Sequence, residues 1–169
     1  MEVEEAVRQL RVIRRFSDRS LPDGILERFV DAARRTGSSK NEQRWAFVTV
    51  TDPGTLERLS HVGDYAGHLA GAAAAIAQVT PALASRSDLW DAGRAAQNMV
   101  LLALAEGIGS CPATVYRPDL AGEILRLPAD QQCSYILSFG YPADAEALVR
   151  GPRATGRRPL DEVLHRERW

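Results

Sequence analysis

The chain has 169 residues, a formal net charge of −1, 45% hydrophobic and 25% charged residues. These are ordinary values for a globular protein with room for one domain, 1–169, and a core that needs no disulfide or metal. The balanced charge argues against nucleic acid or a membrane surface as partner, and 20 of the 21 basic residues are Arg, Lys40 being the only Lys.

In chain order, the start MEVEEAVRQL is acidic and has none of the apolar run of a signal peptide. Val3, Ala6, Val7 and Leu10 follow helical spacing, which predicts an amphipathic helix over 2–10. An Arg-rich break, RVIRRFSDRS, precedes a second helix that opens at Leu21-Pro22-Asp23, carries Ile25, Leu26, Phe29, Val30 and Ala33 on one face, and stops at Gly37. The polar loop SSKNEQR leads into a strand, AFVTV (46–50), and Leu56 and Leu59 mark a short helix after Asp52-Pro53-Gly54. AAAAIAQV (72–79) suits a helix by propensity and a buried strand by its Gly71 and Pro81 boundaries; the strand is preferred. Residues 88–106 predict the strongest helix, apolar all round in MVLLALA and so central and buried. Gly107 ends it, a Cys-Pro segment follows, and a helix starts at Pro118 with Leu120, Ile124 and Leu127 on one face. SYILSFGYP (134–142) reads as the last strand, before an irregular Gly/Pro/Arg-rich tail. Helices and strands do not alternate regularly, which favours an α+β fold over a doubly wound one. Apolar runs at 69–77 and 99–105 fall short of the ~20 residues that span a bilayer. Cys111 and Cys133 stand in apolar stretches and read as buried thiols in a reducing compartment, so the expected location is the cytoplasm.

Many chemistries lack their residues. There is no P-loop, no HExxH, no GxSxG elbow, and Gly107-Ile108-Gly109 follows a helix and lacks the third Gly of a dinucleotide fingerprint. His61 and His68 lie two helical turns apart, and they read as solvated or capping side chains rather than metal ligands. What remains is two Arg-dense segments, Arg11, Arg14, Arg15 and Arg19 near the start and Arg150, Arg153, Arg157 and Arg158 near the end. Between them lies Ser38-Ser39-Lys40-Asn41-Glu42-Gln43. Converging guanidiniums suit a dianionic phosphate, and Asn41 and Gln43 offer amide groups to the edge of a heterocycle. On composition alone, solvated loop arginines are the preferred reading.

Five segments, in order, resemble the nitroreductase family of flavoproteins: RVIRRFSDRSLPDGILERFVDAARR, GSSKNEQRWAFVTVTDP, DAGRAAQNMVLLALAEGIGSCP, LPADQQCSYILSFGYP and GRRPLDEVLHRERW. The resemblance implies a central, mostly antiparallel sheet flanked by helices, an intertwined homodimer, and FMN held where two copies meet. By position, it implies that Arg11, Arg14 and Arg157 hold the FMN phosphate and ribityl chain. It implies that Ser38, Ser39, Asn41 and Gln43 reach across from the other subunit, and that the backbone at Ala113 and Thr114 approaches the reactive edge of the flavin. The implied activity passes hydride from NAD(P)H through FMN to a small-molecule acceptor such as a nitroaromatic or quinone, in a ping-pong cycle with no catalytic side chain and no metal. Departures from the family pattern are Val12 for Ser, Leu10 for a basic residue, Lys40 for a small residue and Arg44 for Pro. They leave Arg15 or Arg158 as substitute phosphate donors, and they leave open a deazaflavin ligand or a flavin-binding protein without turnover.

Overall fold

The computed structural model describes residues 1–149 and 156–169, so Arg150 and Arg153 lie outside the described residues. Helices α1 (Val3–Gln9) and α2 (Ile25–Arg34) precede β1 (Ala46–Val50), α3 (Pro53–Leu59) and β2 (Ala74–Pro81). Helix α4 (Arg86–Ala105), β3 (Gly109–Thr114), α5 (Pro118–Leu125) and β4 (Gln131–Gly140) follow. The four strands form one antiparallel sheet in the order β1-β2-β4-β3.

The sheet is covered on both faces. Ile76, Leu137 and Phe139 pack under α2 and α4 against Ile25, Phe29, Ala95 and Met99, with the Phe29 and Phe139 rings 4.9 Å apart. Ala75, Ala77, Ala113 and Ile136 face Leu56, Leu59, Val62, Leu69 and Ala121 on the other side. Strand β2 is therefore buried on both faces, which is why AAAAIAQV shows no apolar–polar alternation and is nevertheless a strand.

Local chemistry sets the helix ends. Asp52 caps α3, accepting from Thr55 N–H, with Pro53 in the first turn. Ser85 and Asp88 form a reciprocal capping box at the start of α4, and Gly107, at φ +69°, turns the chain out of it. Helix α4 buries Ala95, Met99, Val100, Ala103 and Leu104, while Gly93, Arg94 and Gln97 on its opposite side are exposed. It is thus central but not buried all round.

Strand β3 is the element that the sequence reading leaves as an unassigned Cys-Pro segment. Val115 N–H donates to Ser134 O and Ile13 N–H donates to Ser110 O, so alternate residues address β4 and the free edge. Pro112 falls on the edge side, where its missing N–H breaks no ladder bond. The edge is then closed by the N-terminal segment, through a parallel bridge between Val12 and Ser110 and an antiparallel one between Phe16 and Pro142. Gly109 permits this approach: a Cβ there would stand 2.7 Å from Ile13 Cβ.

Candidate functional site

Helix α4 packs on the sheet against β2 and β3, and part of the same face of edge strand β3 stays open beside it. The residues of β3 that point to that face are Ser110 and Pro112, since Cys111 and Ala113 are turned into the opposite layer. A cleft of about 490 Å³ results, walled by Gly93, Ala96, Gln97 and Val100 of α4 and by Ser110, Pro112 and Leu137 of the sheet. Leu10, Arg11 and Val12 form one side, and Arg157 joins them from the other end of the chain. An apolar slot of about 150 Å³ shares Gly93, Ala96, Pro112 and Leu137 with the cleft and extends it to Thr80, Leu89 and Tyr135. Thr80 Oγ1 is buried there without a hydrogen-bond partner. Two arginines together with a largely apolar lining fit an anion joined to an apolar group.

The family model for nitroreductases matches residues 7–69 and 61–141. The chain belongs to the nitroreductase family. It is 32% identical, over 99% of its length and 100% of the relative, to an Archaeoglobus fulgidus protein provisionally named an NADH dehydrogenase/NAD(P)H nitroreductase. A structure of a provisionally named nitroreductase in complex with FMN, from Desulfovibrio desulfuricans, is 27% identical with a TM-score of 0.81, covering 100% of this chain and 98% of that one. The NADPH:FMN oxidoreductase of Vibrio harveyi, solved with NAD+, is 21% identical with a TM-score of 0.84, covering 98% and 77%. The nitroreductase fold expected from the sequence is the one observed.

Within this nitroreductase-family chain, Arg11 and Arg157 share the cleft. Arg14 does not line it. Its guanidinium is on the Cys111 side of β3, close to the Cys111 thiol and within electrostatic reach of His68, and the residue lines a separate opening with Val12, Ile13, Arg15 and Ala147. Arg158 is held by Glu162, donating from Nε to Oε2 at 3.2 Å. Ala113 is buried in the α3 layer and Thr114 is exposed at the end of β3.

Ser38, Ser39, Asn41 and Gln43 do not line their own chain's cleft; Gln43 faces an opening at the far edge of the sheet with Trp45 and Asp130. Their loop is unusual in its backbone. Lys40, Asn41 and Gln43 all hold positive φ, at 52°, 57° and 49°, a conformation that costs non-glycine residues on the order of 1–3 kcal/mol each. Ser38 Oγ accepts from Gln43 N–H at 3.0 Å, and Asn41 Oδ1 accepts from Gln43 Nε2 at 3.1 Å. Helix α4 holds this segment from outside: Asp91 Oδ2 accepts from Ser39 N–H at 2.9 Å, and Arg94 Nη1 donates to Gly37 O at 3.1 Å.

Two residues that line the cleft, and one buried behind it, escaped the sequence reading. Gly93 and Pro112, each unfavourable in its element, open the cleft; that unfavourable placement was the available signal. His68 is the third. Instead of a solvated or capping group, it is buried behind β3 with Nδ1 2.8 Å from Ser138 Oγ. Ser138 Oγ also lies 3.2 Å from Cys111 O, so one buried hydroxyl bridges the imidazole and the β3 backbone. Burial, and then the nearby Arg14 charge, hold the imidazole pKa below its usual value. His61 is exposed and lies 3.8 Å from Glu57. Both cysteines are buried free thiols, Cys133 with its pKa pushed up to about 12 by burial. Among the described residues no group of three His, Cys, Asp or Glu side chains could hold a metal, and no helix is long and apolar enough to cross a membrane.

Proposed function

We propose that this protein is an FMN-dependent oxidoreductase that takes hydride from NAD(P)H and passes it to a nitroaromatic or quinone acceptor. The observation that carries the reading is the meeting of Arg11 and Arg157, from opposite ends of the chain, on a cleft with an apolar extension. The fit is chemical: a phosphate needs fixed cations, and a planar ring needs apolar walls. Names of relatives that carry FMN, NADPH or NAD(P)H support the same choice.

In this reading Arg11 and Arg157 bind the phosphate, Ser110 and Pro112 give the ribityl chain and ring a wall, and Val12 contributes packing instead of a hydroxyl. Ser38, Ser39, Asn41 and Gln43 act in the cleft of a second copy, and Arg14 supplies positive charge from the Cys111 side of β3. FMN, when bound, supplies the two-electron chemistry, and the protein supplies position and electrostatics. Donor and acceptor use one opening in turn, so no acid–base pair is required of the side chains.

The test is the visible spectrum of the protein as purified or after addition of FMN. A flavin spectrum, bleached anaerobically by NADH or NADPH and restored by a quinone, is the expected result. A colourless protein that takes up no FMN overturns the reading. Val12 at the phosphate side favours a second reading, a flavin or deazaflavin carrier without turnover. Mass spectrometry of the released ligand separates the two flavins, and steady quinone-dependent NAD(P)H oxidation eliminates a carrier.

A further inference from the structure

Helix α4 presents two different faces to the two halves of the site. Gly93, Ala96 and Gln97 open the cleft. Asp91 and Arg94 hold the chain before and within the 38–43 loop, and Asn98 Nδ2 donates to Ala32 O at 3.2 Å and Thr36 Oγ1 at 2.8 Å. Asp91 is the pivot of this arrangement. It is buried, one carboxylate oxygen accepts from Ser39 N–H, and the other lies 3.6 Å from Arg94 Nη1. Arg94 in turn holds Gly37 O, so both sides of the turn into the loop are tied to one carboxylate–guanidinium pair. Left-handed backbone at three non-glycine residues persists only where the surroundings over-determine it. Asp91 supplies that constraint from outside the loop, whereas the contacts of Ser38, Asn41 and Gln43 are within it.

We propose that Asp91 is a positioning residue for ligand binding: it holds Ser38–Gln43 in the shape with which this loop completes the cleft of a second copy. The proposal rests on the FMN reading above and adds to it a residue that touches no ligand. If the competent loop shape falls to about a tenth of the population without Asp91, apparent affinity falls by the same factor.

Three measurements on the full-length protein test it. In Asp91→Ala, amide exchange at Ser39 is expected to be about tenfold or more faster, with or without ligand. FMN binding is expected to weaken about tenfold in the same variant. Asp91→Asn, which keeps an acceptor oxygen but loses the charge facing Arg94, should fall between it and the parent; it also serves if the alanine variant does not fold. The third measurement uses hybrid dimers made by co-expressing Asp91→Ala with Arg157→Ala. Each parent dimer has two weakened sites. The hybrid should regain one site of parental affinity, because one cleft then has both its own Arg157 and an intact loop from the other chain. A purely structural loss gives no such rescue.

Unchanged Ser39 exchange, or parental FMN affinity in Asp91→Ala despite faster exchange, overturns the proposal. A hybrid with no restored site does so too, since the loop would then act within its own chain. If the unaltered protein binds no FMN, the functional reading fails by itself, and Ser39 exchange still decides whether Asp91 holds the loop.

Discussion

Arg157 and Arg158 are neighbours in sequence with different prospects. Arg158 is engaged by the Glu162 carboxylate and by Glu162 O, while Arg157 donates to Gly156 O and lines the cleft. Arg157→Ala is therefore expected to weaken FMN binding by about 1.5–3 kcal/mol, the usual worth of a hydrogen bond to a charged group. Arg158→Ala should change it by less than about threefold. Equilibrium titration of both variants checks this, and equal losses would mean that the phosphate is shared between them. His68 carries a prediction of a different kind. Its folded pKa is depressed below the usual 6.5, so the unfolded chain binds the extra proton first. Its contribution to stability is complete above about pH 6.5 and is lost as pH falls below that value. The urea midpoint should drop more between pH 8 and 5.5 in the parent than in His68→Asn; parallel curves would show that the imidazole is charged in the fold. These two residues also mark what was legible at this scale. The meeting of Arg157 with Arg11 on one cleft was legible because both stand in short Arg-containing segments. His68 did not, because a lone His carries no trace of the Ser138 and Cys111 that surround it.

At the scale of elements, hydrophobic pattern found the five α-helices and strands β1 and β4, and the Gly71 and Pro81 boundaries decided β2; among the described residues β3 and the short 3-10 turns went unassigned. GSCPAT lacks β-branched residues until its last position and contains a proline, so propensity argues against a strand. Tertiary pairing with β4 and with the N-terminal segment overrides it. The site depends on that pairing, which brings Arg11 and Val12 alongside Ser110. Gly109→Ala tests it. The new Cβ would meet Ile13 Cβ at 2.7 Å, a contact between two branch points that no rotamer change relieves. The expected cost is about 1–3 kcal/mol, as for other overpacked sites, together with weaker FMN binding as the N-terminal segment shifts. Gly93→Ala is the contrasting case: nothing lies within 4 Å of a Cβ there. It should raise stability by up to about 1 kcal/mol through helix propensity while narrowing the cleft. Thermal melts and FMN titrations of both variants separate a pairing effect from a cleft effect, and a stable Gly109→Ala protein with parental affinity would contradict the role given to the edge.

At the scale of the whole molecule, a single chain leaves apolar surface that its own fold does not use. The amphipathic pattern of α1 was read correctly as a helix, yet Val3 and Val7 are 76% and 61% exposed. Leu160, Val163 and Leu164 near the C-terminus are likewise exposed, as are Leu89 and Trp90 on α4. The loop that the resemblance assigns to FMN stands away from the cleft of its own chain. The proposed shared site accounts for both facts: two copies would bury these surfaces against each other, and each loop would reach the other's cleft. Periodicity alone does not separate the two cases, since a sequence records that a face is apolar and not whether its cover is the same chain or another. The decisive substitution lies on the exposed C-terminal segment, because an exposed Leu→Glu change in a monomer costs within about 0.5 kcal/mol. Leu160→Glu combined with Leu164→Glu should therefore be silent if the chain works alone. If two copies meet there, the charges are buried on association and the dimer dissociates. Light scattering should then give the mass of one chain where the parent gives two, and FMN affinity should fall with it, because each cleft loses its second loop. A parent that is monomeric while holding FMN, or a double variant that remains dimeric with parental affinity, would remove the shared site and leave the loop without a cleft to complete.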